Sequence, residues 1–201
     1  MPSTPLSFCH NADEAPFEFE NSRALLRCWQ RHCRNGALPQ ANELDLASMK
    51  KLLPELLIYD VASPTMIRFR LAGTMVVKRM GFEPRGMNMI DLSPPAVRRD
   101  VGLAFSAVAG LRIGILSHFR HIYAGGTPGR VEMLMLPLAA PPGAAPRVMT
   151  LMSREHYANG LAPYGLEQPA EAVENATLMD VGFGLPDLET ILAKLAGALA
   201  A

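Results

Sequence analysis

The sequence predicts an α+β fold: a five-stranded antiparallel sheet with helices on one face, an N-terminal amphipathic helix before it and a helical extension after it. Three observations predict this. The apolar period changes from helical to strand-like near Pro54, two strand runs are separated from three later ones by a helical middle, and the links within each strand group are short and rich in Gly and Pro, as antiparallel neighbours require. A chain of 201 residues with 49% hydrophobic and 19% charged residues has the composition of a globular protein with a substantial core.

The first helix is predicted over residues 21–34, where Leu25, Leu26, Trp29 and Cys33 recur at helical spacing, with Asn21 or Ser22 as N-cap and Gly36 as the stop. Its other face carries Arg23, Arg27, Arg31 and Arg34, so one stripe is buried and the rest faces water. A short helix over residues 45–53 ends at Pro54. The runs LLIYDVA and MIRFRLAG, separated by Ser63, Pro64 and Thr65, form a hairpin in which Ile67, Phe69 and Leu71 point inward by strict alternation while Arg68 and Arg70 face water. Irregular helical turns follow Gly73. A longer helix is predicted over residues 95–109, with Ser93 as cap and Val97, Val101, Ala104, Phe105 and Val108 as its apolar stripe. Three strands come next, over residues 112–123, 130–138 and 147–153, joined by AGGTPG and AAPPGAAP. After scattered Gly and Pro, residues 186–200 form a last helix with Leu188, Ile191, Leu192, Leu195 and Leu199 on one stripe, which needs a surface to dock on.

The segments LRCWQRHCRNGALP, LLPELLIYDV, FRLAGT, GMNMIDL and VEMLMLPL occur in this order. Together they resemble a bacterial, mostly alphaproteobacterial, PAS-like family first catalogued as a domain of unknown function. The resemblance covers residues 21–153 and implies a sheet that cups helices around a small cavity, and a sensory or regulatory module rather than a reaction. It divides the chain into an acidic N-terminal arm (residues 1–20), the PAS-like domain with its N-terminal helix (21–153) and an acidic C-terminal extension (154–201). Haem-holding PAS domains offer a histidine from the long helix, and residues 95–109 contain none; flavin-bonding ones place a cysteine in the helical middle, and residues 35–201 contain none. No cofactor is therefore expected.

Net charge is zero but unevenly spread: residues 1–20 carry −4, residues 154–201 carry −5 and the body between them +9. Either this serves solubility, or an acidic arm folds over the basic body. Cys9, Cys28 and Cys33 lack disulfide spacing, and no apolar signal segment opens the sequence, so a cytoplasmic protein is expected. The charge-free stretch 133–146 is too short for a bilayer and holds four prolines, so no membrane span is expected.

Chemistry-bearing clusters are sparse. Cys28 and His32 share a helix face without a paired knuckle, and His118 and His121 point to opposite faces of a strand, so no metal is expected. His121 with Asp60 or Glu132 is the one acid–base set to assemble, and packing explains it better than catalysis. Lys78, Arg79, Arg85, Arg98 and Arg99 read as a solvated face rather than a nucleic-acid site. If Arg120 opposes Glu132, the central hairpin is apolar on both faces. The outer one, with Leu116, Leu134 and Leu136, then needs a cover, either the helix bearing Leu25, Leu26 and Trp29 or a second protomer. A homodimer through these six residues is the expectation. The inner face gathers Phe69, Leu71, Val101, Phe105, Phe119, His121, Met133 and Met135, either as filled core or as a pocket for a small apolar ligand. The expected function is a non-enzymatic regulatory module acting through dimerisation and an unknown signalling partner protein. The alternatives are a small enzyme using the cavity and a pure interaction adaptor.

Overall fold

The computed structural model describes residues 5–34, 36–122, 128–154 and 173–200. One seven-stranded sheet runs through them. Its strands are β1 (Leu6–Cys9), β2 (Leu56–Ser63), β3 (Met66–Ala72), β4 (Gly114–Ile122), β5 (Pro128–Leu138), β6 (Arg147–Arg154) and β7 (Val173–Met179), in the spatial order β1-β7-β4-β5-β6-β2-β3. The five predicted strands form the contiguous antiparallel set β4-β5-β6-β2-β3. The two additions come from the N-terminal arm and the C-terminal extension: β7 pairs antiparallel with β4, and β1 parallel with β7. Neither has the long alternating run that marks a strand in sequence. β1 has four residues and β7 reads VENATLM, so pairing with an existing edge, rather than intrinsic pattern, makes them strands.

Helix α1 (Glu20–His32) packs on β5 and β6 on one face of the sheet. Its N-cap position is Phe19, without a side-chain bond; the expected caps Asn21 and Ser22 both lie inside the helix, and Ser22 is buried against Ser153, Oγ to Oγ 2.9 Å. The helix expected over residues 45–53 is a series of turns ending in the 3-10 turn Leu53–Glu55. Two of those turns are closed by bonds from the Leu52 and Leu53 amides to the Met49 carbonyl, and they still bury Leu44, Met49 and Leu52 beside α1.

The opposite face holds α2 (Thr74–Met80), α3 (Met89–Leu92), α4 (Arg98–Leu111) and α5 (Leu188–Ala200). Helix α4 lies against β2 to β6, and α5 packs on α4. α4 approaches the β2–β3 turn so closely that a Cβ on Gly102 would meet the Pro64 carbonyl oxygen at 2.1 Å. The sheet therefore separates two cores. On the α1 side lie Leu25, Leu26, Trp29, Leu116, Leu134, Leu136 and Met149; on the α4 side lie Tyr59, Ile67, Phe69, Phe105, Val108, Met135 and Val148.

The arms do fold over the body where they are described. Glu18 pairs with Arg130 at 2.7 Å, and Glu174 with Arg120 at 2.7 Å. The two arms also meet: the Asp180 amide donates to the Cys9 carbonyl and the Ala12 amide to the Asp180 carbonyl.

Candidate functional site

The inner cup is built around Tyr59. Its ring lies 4.9 Å from Phe69 and 4.8 Å from Phe105, the latter edge-on at 76°, and all three are buried. Met135, 0% exposed, belongs to the same core, and burial pushes the Tyr59 phenol above its ordinary value. Of the eight residues expected here, Phe69, Phe105 and Met135 converge in this core and Val101 and Met133 lie half-buried against it. Phe119 is buried farther along β4, and the His121 side chain lies outside the described residues.

Leu71 is not in the cup. Ile58 pairs with Leu71 but Tyr59 with Phe69, so Arg70 is an extra residue in β3. A bulge changes the parity of everything beyond it, and Leu71 is turned to the Ile58 side at the sheet edge, 38% exposed. Strict alternation from Ile67 misplaces it for that reason.

The six residues expected at a dimer interface need a second correction. Leu25, Leu26, Trp29, Leu116, Leu134 and Leu136 are each at most 2% exposed within one chain. Trp29 Nε1 donates to the Pro137 carbonyl at 2.8 Å, fixing α1 across the strands. The outer leucines do need a cover, and the chain's own α1 provides it, so this set presents no surface to a second protomer.

The arrangement that sequence reasoning missed lies on this outer face. β4 and β5 pair His118 with Glu132, and Arg120 with Arg130, so the expected Arg120–Glu132 register is displaced by two residues. Displacement by two preserves which side chains face which way, so the facing assignments survive while the polar partners change. Across four adjacent strands Asn175, His118, Glu132 and Ser153 stand opposite one another in a single row. His118 Nδ1 is 2.8 Å from Asn175 Oδ1, and its Nε2 is 3.0 Å from Glu132 Oε2. The same carboxylate oxygen accepts the Glu18 backbone amide at 2.6 Å. A ring with a proton on each nitrogen satisfies both acceptors; with one proton, a turned Asn175 amide donates instead. His118 and Glu132 side chains are 5% and 0% exposed, and Glu132 Oε1 has no partner among the described residues. The signal available in the sequence was a histidine and a glutamate on neighbouring strands, separable from the Arg120 reading only by the hairpin's true loop length.

Elsewhere, Asp60 is held by Arg147 at 2.9 Å and by Arg70 at 3.5 Å, and Glu55 by Arg79. Asp60 and Glu132 are thus both engaged by groups other than His121. Among the described residues no group of three or more His, Cys, Asp or Glu side chains is placed to hold a metal ion, and no helix is long and apolar enough to cross a membrane. An open groove of about 410 Å³ lies between His10, Asp13, Gln30, Cys33 and Asp180.

No curated protein matches the chain. Several solved structures are similar to it. A structure of the Vibrio cholerae VqmA dimer, described as a LuxR-type receptor, is 16% identical with a TM-score of 0.42 over 55% of this chain and 51% of that one. The Rhodobacter sphaeroides LOV protein is 16% identical, TM-score 0.37, over 55% and 67%. A PAS domain from Colwellia psychrerythraea is 12% identical, TM-score 0.36, over 59% and 98%. The chain spans about half the length of the VqmA chains it matches. The sequence pattern of the PAS domain family matches residues 18–153, more than half the chain. On that match, carried by the five central strands and the helices α1 to α4, the chain belongs to the PAS domain family.

Proposed function

We propose that the chain is a sensory or regulatory PAS module that works through contact with a protein partner rather than through turnover, and that its inner cup is a packed core rather than a ligand chamber. The observation that carries this reading is the ring cluster of Tyr59, Phe69 and Phe105, in one core with Met135, between the sheet and α4. Rings packed this closely leave no room for a guest without moving one another. PAS domains are generally sensory and non-enzymatic, which supports the same reading. Of the acids an enzyme would draw on, Asp60 is bound to Arg147 and Glu132 to His118.

The test is a paired one. Native mass spectrometry of the purified chain is expected to show no retained small molecule, and Phe105→Trp is expected to destabilise the fold by about 1–3 kcal/mol through overpacking. A small molecule that co-purifies and is lost in Phe105→Trp at unchanged melting temperature would instead make the cup a ligand pocket and overturn the packed-core reading.

A further inference from the structure

The outer-face row joins residues inside the PAS family match to one beyond it. Asn175 belongs to β7, beyond the residues 18–153 that match the PAS family. His118, Glu132 and Ser153 belong to the family's own strands, whereas the Glu18 amide and Ser22 belong to the entry of α1. Unbroken polar contacts of 2.8, 3.0 and 2.6 Å thus run from β7 through His118 and Glu132 to Glu18, two residues before α1. Arg130 reinforces the end of that path by pairing with the Glu18 carboxylate.

We infer that this row is a latch by which β7 holds the first turn of α1 on the sheet, so that release of β7 from the β4 edge loosens α1. The physical reason lies in Glu132. It is a fully buried side chain with one oxygen already lacking a partner among the described residues, so its placement depends on His118. Asn175 fixes the far nitrogen of that ring, and β7 covers the edge from which water would reach it. When β7 leaves, the ring loses a hydrogen bond and gains solvent. His118 then holds the carboxylate less firmly, water competes for Glu132 with the ring and the Glu18 amide, and the cheapest way to admit water is to lift the segment carrying Glu18. Coupling of this kind is reciprocal, so loosening α1 also loosens β7. The latch rests on geometry and does not depend on the packed-core reading of the cup. Here His118 is a positioning residue.

Backbone amide hydrogen exchange on the full chain tests it. Asn175→Ala is expected to speed exchange at Glu18 and in the first turn of α1 by about tenfold or more, the loss of one hydrogen bond to a buried charged network, while amides around Phe105 in α4 keep their wild-type rates. Glu132→Gln is expected to speed exchange both at Glu18 and at the β7 amides. Thr177→Val breaks a β7 contact outside the row, the 2.8 Å bond to Ser7 Oγ, and is expected to free β1 without moving Glu18. Should Asn175→Ala not fold, Asn175→Ser, too short to reach the ring, serves the same comparison. The inference is overturned if Glu18 is unmoved in the Asn175 variant, if α4 speeds equally, or if Thr177→Val loosens Glu18 as much.

Discussion

Cys33 closes α1 with its Sγ 3.6 Å from the Trp29 carbonyl, and desolvation by the surrounding core pushes its thiol up to about 11. The thiolate is the nucleophile, so at pH 8 roughly one Cys33 in a thousand is reactive. Alkylation of Cys33, followed by mass spectrometry, is expected to be slow at pH 8 and to quicken about tenfold per pH unit until the pH approaches that value. A rate already at its plateau at pH 9 would show that the thiol is not buried in this way. At Trp29 the effect runs through packing and one bond: Trp29→Phe removes the donor to the Pro137 carbonyl and leaves a gap at a fully buried site. It is expected to destabilise by about 1–3 kcal/mol in denaturant unfolding. The sequence showed that Trp29 faces a core, because helical spacing survives small errors in helix limits. It could not show that Leu71 leaves the cup, because a single extra residue at Arg70 has no signature in an alternating run.

At the scale of elements, a close approach and a cap make opposite demands on the chain. Gly102 sits inside α4, where alanine is the better helix former by about 1 kcal/mol. The Pro64 carbonyl oxygen, 2.1 Å from where an alanine methyl would sit, is backbone and cannot swing aside, so the clash wins. Gly102→Ala is expected to lower the melting temperature, and a rise would show that α4 does not seat on the β2–β3 turn. Helix α5 depends on Asp187, whose Oδ1 accepts the Thr190 amide at 2.7 Å; that bond holds the carboxyl below its ordinary value. A depressed carboxyl contributes its full stabilisation above the ordinary carboxylate range and loses it as pH falls through the depressed value. Exchange at the Thr190 amide is therefore expected to quicken, relative to its intrinsic rate, in strong acid and in Asp187→Ala. Helical periodicity made α1, α4 and α5 legible. Residues 45–53 read as a helix in the sequence, yet the burial of Met49 and Leu52 beside α1 needs no helical backbone, and turns supply it.

At the scale of the molecule, the charge asymmetry along the sequence has a structural counterpart. The basic body meets acids from both arms, at Arg130 and Arg120, and the arms are bound to each other through Cys9, Ala12 and Asp180. Charge counting could suggest that an arm folds back, but not that it does so as strands. Strand pairing is a non-local property, set here by the open edge of β4, which no local pattern in residues 5–9 or 173–179 encodes. The same reasoning explains the cover of the outer leucines. The sequence required one and could not choose between α1 and a second copy, since both satisfy an apolar stripe equally.

Removing residues 154–201 puts this arrangement to a single test. The segment carries seven acids and two bases, so the remainder of a neutral chain has a net charge of +5. Its loss uncovers the β4 edge, strips Ile191 and its neighbours from α4, and deprives β1 of its sheet partner, because β1 pairs with β7 alone among the described strands. An open edge beside an apolar face is an association hazard. The truncated chain is therefore expected to melt lower, to bind a hydrophobic dye that the full chain does not, and to adhere to an anionic resin with an affinity that falls as salt is raised. Each readout reports a different contact: melting temperature the packing of α5, dye the uncovered face, and salt-dependent adhesion the arm's charge. Unchanged melting together with unchanged resin binding would mean that the extension neither caps the domain nor screens it. A lower melting temperature without gained adhesion would assign it the packing role alone, with Glu174 and Arg120 making a surface pair of little energetic weight.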